Sequence, residues 1–263
     1  MSCSVVVATA GHRPAQLAAL RTALDAQQEP PGGFEVVVVE DSERRGPAAA
    51  RNSGVARARG DLVAFTDDDC EPEPGWLAAL HARWAGRSSV GVGGTVLNRL
   101  PRNPFAAASQ LVHEHAHAWA NRAVPRFFAS NNLALPRAAL VEVGGFDERL
   151  RCAEDRELCD RWIAAGLALD HAPDAVVHHA HRMRYRGFLA QHAGYGGGAW
   201  RLRVAQTAAG RPRSPIEPAF YARLVRDAAR RSPQLAALVA AAQLANAAGF
   251  ASAAIADRGR LRR

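Results

Sequence analysis

The sequence predicts an α/β fold: a mostly parallel central sheet flanked by helices, continued by a helical, basic C-terminal extension. Three observations carry that prediction. The short runs SVVVAT (4–9), FEVVVV (34–39) and DLVAF (61–65) are rich in β-branched residues and nearly uniformly apolar, as in strands buried on both faces. Helical patterns separate them, which is the rhythm of parallel strands joined by crossover helices. Acidic residues follow the second and third runs, at the strand ends where such sheets bind ligands.

Taken in order, the first strand leads into a helix with Leu17, Leu20 and Leu24 on one face. PPGG (30–33) breaks the chain before the second strand. Residues 46–60 read as a helix closed by Gly60, ahead of the third strand. Residues 75–84 form another helix and 89–98 another strand. Beyond residue 100 the pattern loosens. Residues 126–140 combine a short strand with a helix start, and 174–181 make a last short strand. Between them, 154–166 read as a helix with Leu158, Trp162 and Ile163 near one face and Gly166 as its stop. The expected division is a domain over 1–181, in halves 1–100 and 101–181, and an Arg-rich, mainly helical region over 182–263.

Charge divides the chain at the same place. All 33 basic residues are arginine. Residues 1–181 hold 18 of them against 22 acids, while 182–263 hold 15 against 3. A tail of that balance suits an anionic membrane surface or a phosphorylated substrate. Nucleic acid is not expected as a partner, because no base-reading motif or aromatic-rich basic platform accompanies the charge. Cys3, Cys70, Cys152 and Cys159 form no CxxC pair, which suits thiols in a reducing compartment. The N-terminus lacks a basic stretch before its short apolar run, so no signal peptide is predicted. The expected location is cytoplasmic, with a peripheral place on the cytoplasmic face of the membrane open to the basic tail. Residues 232–256 carry no charge but are mostly alanine, with Gln243, Asn246 and Gly249. Spanning needs roughly 20 clearly apolar residues, so a soluble or surface-lying helix fits at least as well.

Chemistry concentrates in FTDDDC (65–70). Asp41 and Asp67–Asp69 follow neighbouring strands and should line one cleft. Alternation along an extended segment points Asp67 and Asp69 the same way, with Asp68 opposed. A divalent cation would relieve the repulsion and bridge to phosphate; a solvated acidic turn is the plainer alternative. No GxGxxG in its strand–helix context and no GxxxxGK[ST] is present, which disfavours dinucleotide and P-loop enzymes.

The stretches SVVVATAGHRP, EVVVVEDSE, AAARNSGVARARGDLVAFTDDDCEPEPGWL, FASNNLALPRAALVEVGGFDERL and AEDRELCDRWIAAG resemble the family 2 glycosyltransferases of GT-A fold, in family order over roughly residues 3–182. The resemblance implies a sugar transferred from a nucleotide-diphosphate donor to a carbohydrate or lipid-linked acceptor, with Mn2+ or Mg2+ and inversion. It makes 1–100 the nucleotide-binding half and 101–181 the acceptor half. It places Thr9 beside the nucleotide base, Asp41 on the base, and Arg51 with Asn52 facing the nucleotide. Asp67, Asp68 and Asp69 make the acidic donor motif, with Asp67 and Asp69 near ribose and metal. Asp155 matches the general base. His179 resembles a further metal or phosphate contact, in competition with His178 and His181. The family's DDGS loop reads EDSE (40–43) here, so Glu40 replaces an aspartate and the loop geometry departs.

Two other readings compete. HEHAH (113–117) satisfies HExxH and would make a zinc hydrolase of His113, Glu114 and His117, although AWANRA after it lacks the metzincin continuation. A non-catalytic nucleotide-sugar or polysaccharide binding protein would keep the fold and donor site without turnover.

Overall fold

The computed structural model describes residues 1–213 and 217–260. It divides into two compact units, the first from 1–99 and 123–180, the second from 100–122 and 181–263. Residues 100–122, within the expected acceptor half over 101–181, group with the C-terminal residues.

In the first unit the elements are β1 (Cys3–Thr9), α1 (Pro14–Asp25), β2 (Phe34–Glu40), α2 (Pro47–Arg57), β3 (Leu62–Asp67), β4 (Cys70–Pro72), α3 (Trp76–Trp84), β5 (Val90–Asn98), β6 (Leu133–Pro136), α5 (Arg137–Glu142), α6 (Glu154–Ala164) and β7 (Ala168–His179). Between β5 and β6 the chain visits the second unit, where it forms α4 (Pro104–Ala120). Seven strands make one sheet in the order β2-β1-β3-β6-β5-β7-β4. β1 pairs in parallel with β2 and β3, and β5 with β7. β6 runs antiparallel between β3 and β5, and β4 antiparallel to β7. The sheet is therefore mixed, which corrects the mostly parallel expectation. Apolar content signals burial but not strand direction, and β4 and β6 are too short to show a period.

Alternation along β1 builds the two faces of the core. Val6 packs with Val37, Phe65, Leu133, Leu158 and Trp162 under α2 and α6. Val5 and Val7 pack with Leu20, Leu24, Trp76, Leu80 and Trp84 under α1 and α3. Helix α2 ends at Arg57, three residues short of the expected stop. Gly60 serves a different need there: a Cβ on it would lie 2.5 Å from the Cys3 carbonyl carbon, so glycine lets the chain pass against β1. β7 begins six residues earlier than expected, because Asp170, His171 and Pro173 mask its strand character in the sequence.

The second unit holds α4 with α7 (Tyr185–Ala208), α8 (Pro218–Arg231) and α9 (Pro233–Arg260). Ala108 and Leu111 of α4 share a core with Phe188, Leu224, Ala228, Val239 and Ala242, which is why 100–122 groups here. Helices α7 and α9 touch backbone to backbone. A Cβ on Gly196 would lie 1.8 Å from the Asn246 carbonyl oxygen, and one on Gly249 1.9 Å from that of Ala193. Within the expected helical region over 182–263 the described residues form α7, α8 and α9; 214–216 and 261–263 lie outside them.

Candidate active site

β1, β2 and β3 end side by side, with Thr9 opposite Glu40 and Ala8 opposite Asp67. Strand β3 stops at Asp67, and Asp68 and Asp69 form a turn before β4. The expected alternation therefore fails at this point. Asp67 goes one way, accepting from Arg51 Nη2 at 2.8 Å. Asp68 and Asp69 go together, both bound by Arg13 Nη1, at 3.0 and 2.6 Å. Thr9 Oγ1 donates to Asp68 at 2.6 Å and accepts from the Gly11 amide, which locks the end of β1 to the acidic turn. Asp68 is thus a held member of the site and not an outward spacer.

Strand β4 brings His179 into the site. Its antiparallel pairing with β7 sets Cys70 opposite His179, and His179 Nε2 lies 3.3 Å from Asp69 Oδ1. Burial works against a protonated His179, but the Asp69 hydrogen bond and charge outweigh it and raise its pKa. His178, pointing the other way, meets Glu73 at 2.9 Å instead. Among the described residues, Asp69, Cys70 and His179 form the one trio of ligand atoms within 4.8 Å of one another. Carboxylate oxygen and imidazole nitrogen suit Mn2+ and similar cations, with other positions left to water and phosphate. The Cys70 thiol does not fit. A soft thiol is a poor partner for such hard cations; burial pushes its pKa well above the ordinary value, and it packs in the core under α1 and α3. Asp67, expected on the metal, is outside this trio and paired with Arg51.

Arg51 also departs from expectation. The family resemblance implied a nucleotide-facing guanidinium; the structure turns it inward, 4% exposed, with Nη1 donating to Glu154 at 2.8 Å and Nη2 to Asp67. Its neighbour Asn52 binds both backbone groups of Phe146, accepting from the amide at 2.8 Å and donating to the carbonyl at 2.9 Å. The RN pair thus pins the GGFDE loop, where Gly145 has φ +64° and no room for a Cβ against Asn52 Oδ1.

Helix α6 opens on Glu154 and Asp155, after Ala153 in the left-handed conformation. Asp155 accepts from the Arg156 amide at 2.7 Å and the Ser130 amide at 3.4 Å. Burial raises its pKa, with the Arg51 charge opposing; Glu154 is raised by burial and by the Asp155 charge. A carboxylate in that state is a better proton acceptor than a solvated one. Asp41 sits at the end of β2 and accepts from the Arg45 and Gly46 amides, each at 2.7 Å, which shapes the loop into α2. Arg13 and Glu154 were missed by sequence reasoning, since neither spacing nor periodicity reveals what a side chain crosses the fold to meet. Asn132 is a core residue: it accepts from Trp76 Nε1 and donates to the Thr95 and Ala175 carbonyls. In the second unit, His113 packs edge-on to Tyr195 at 5.3 Å, and the HEHAH segment contributes to no metal-holding trio among the described residues.

Three parallel strands with acids at the ends of β2 and β3, an antiparallel strand inserted beside them and an acid-led helix define an α/β fold of GT-A type. The chain belongs to glycosyl transferase family 2, whose model matches residues 14–144. It is 34% identical over 177 residues to a pre-mycofactocin glycosyltransferase of Mycobacterium tuberculosis, covering 65% of this chain and 37% of that one. It is 30% identical over 152 residues to the glycosyltransferase AglE of Haloferax volcanii, covering 56% and 48%. The chain therefore spans less than half the length of these relatives. Its fold resembles a mannosyltransferase of Pyrobaculum calidifontis in complex with GDP-Man and Mn2+, with a TM-score of 0.60 and 22% identity over 98% of this chain and 79% of that one.

Proposed function

We propose that the chain transfers a sugar from a nucleotide-diphosphate donor to an acceptor hydroxyl, with inversion and with Mn2+ or Mg2+. The observation that carries this reading is the joining, in a family 2 chain, of the acidic turn to both His179 and the α6 carboxylates. Arg13 and His179 meet Asp69, while Asp67 reaches Glu154 through Arg51. Asp69 and His179 would hold the metal, which when bound offsets charge on the leaving diphosphate. Asp67 and Asp68 line the donor side, with Thr9 and Asp41 at the base edge. Asp155 takes the acceptor proton as the acceptor oxygen bonds to the anomeric carbon, and the bond to the diphosphate breaks with its electron pair on the phosphate oxygen.

The acceptor in this reading is a carbohydrate or lipid-linked molecule presented at the cytoplasmic face of an anionic membrane. Two features support that location. Residues 182–263 are strongly basic, and α9 from Pro233 to Arg258 is long and apolar enough to cross a membrane. Leu244 and Ile255 stand 73% and 70% exposed on it.

A panel of nucleotide sugars, assayed for metal-dependent binding and slow donor hydrolysis, tests the reading. Asp69→Ala should lose metal-dependent binding, and Asp155→Asn should keep binding while hydrolysis stops. Unchanged metal-dependent binding by Asp69→Ala would overturn it, and binding without any turnover would point to a binding protein.

A further inference from the structure

The Asp68–Asp69 pair carries its own counter-cation. The two carboxylates are 4% and 5% exposed, and adjacent charges at such burial need compensation. Arg13 supplies it through one nitrogen shared by Asp68 Oδ1 and Asp69 Oδ2. We propose that Arg13 determines the metal affinity of the site: its guanidinium and the divalent cation compete for Asp69, so metal binding requires Arg13 to release that carboxylate.

The inference rests on the reading of Asp69 as a metal-binding carboxylate. Asp69 is approached from two sides, by His179 at Oδ1 and by Arg13 at Oδ2. A dication drawn to Asp69 and His179 meets a fixed positive charge on the same carboxylate, where burial leaves little screening. Arg13 is placed to give way. It precedes α1 in the chain, its side chain is about one-third exposed (32%), and it borders a cavity of about 310 Å³. Thr9, Gly11, Arg21 and Glu40 also line that cavity, so Glu40 offers a second carboxylate within the same space. Asp68 keeps its Thr9 hydrogen bond when the guanidinium moves. Competition is reciprocal: Arg13 weakens the metal by the factor by which the metal weakens Arg13.

Mn2+ binding to the full chain, followed by electron paramagnetic resonance without nucleotide, tests this directly. Arg13→Gln should bind Mn2+ about tenfold more tightly than wild type, as expected when a charge-assisted competitor is removed. Arg13→Lys, which keeps the positive charge on a shorter and more strongly hydrated side chain, should fall between them. Thermal unfolding gives a second readout. Arg13→Gln should melt lower in EDTA and show a larger Mn2+-induced rise than wild type. Equal or weaker Mn2+ binding by Arg13→Gln, with wild type binding normally, overturns the proposal alone. If neither protein binds Mn2+, the proposal fails together with the metal-site reading beneath it.

Discussion

Arg51 and Glu154, 103 residues apart, are joined by a buried 2.8 Å hydrogen bond, and the same guanidinium holds Asp67. One side chain on α2 thus ties the acidic end of β3 to the start of α6. The Arg51 pKa is pushed far up: burial opposes its charge, but Asp67 and Glu154 outweigh that cost.

Removing that cation leaves two carboxylates facing each other's vacated partner. Arg51→Met should destabilise the chain by about 3 kcal/mol or more, since breaking a buried pair strands the opposite charge. Glu154→Gln, which keeps a hydrogen-bond acceptor and removes a charge, should cost clearly less. Urea unfolding of the two variants checks the order; equal losses would show that Arg51 packs without anchoring the acids.

With Asp155 proposed as the general base, its ionisation should set the pH dependence of turnover. Its pKa is raised by burial, so the ionised carboxylate is lost at a higher pH than that of an ordinary aspartate near about 3.9. Donor hydrolysis should therefore fall with decreasing pH along an acid limb above that value, and Asp155→Asn should remove the activity. Stability has the opposite sign. The folded chain binds the extra proton between the unfolded and the raised folded pKa, so this group's contribution falls as pH rises through that window. Asp155→Asn should flatten that part of a stability-against-pH curve.

Asn132 should be worth more to the fold than to any ligand. Asn132→Ala removes the partner of the Trp76 indole and of the Thr95 and Ala175 carbonyls, three bonds in the core, at a cost of roughly 3 kcal/mol or more. Gly94→Ala should damage the same place, since its Cβ would lie 2.1 Å from the Ala175 carbonyl oxygen and 2.5 Å from Asn132 Nδ2. Denaturant midpoints measure both. A midpoint unchanged in Asn132→Ala would contradict the assignment.

Membrane association should depend on α9 and on salt. Flotation with vesicles containing anionic lipid should bring the chain to the lipid fraction. Leu244→Glu with Ile255→Glu should weaken that association about tenfold or more, by removing apolar area and adding repulsion. High salt should weaken the arginine contribution. Flotation that survives both changes would assign binding to another surface.

Much of the first unit was legible in residue order. β1, β2, β3 and β5 announced themselves as apolar runs, and α6 as a periodic helix with Gly166 behind it, where φ is +79°. β4 stayed hidden, since three residues with a proline show no period, yet its pairing to β7 selects His179 over His178. The direction of β6 was equally silent. Side-chain destinations were the least legible. Arg51 and Asn52 read as a ligand-facing pair and turn out to bind carboxylates and a loop backbone.

By itself the sequence determined where β1, β2, β3 and β5 lie, that acids follow β2 and β3, and that the basic charge gathers after residue 181, because burial, periodicity and charge are properties of residue order. Only the tertiary structure decided which acids stand together. Strand alternation ends where β3 becomes a turn at Asp68, so Asp69 shares Arg13 with its neighbour and not a common direction with Asp67. Which cation meets which carboxylate depends on distances across the fold, and no spacing along the chain records them.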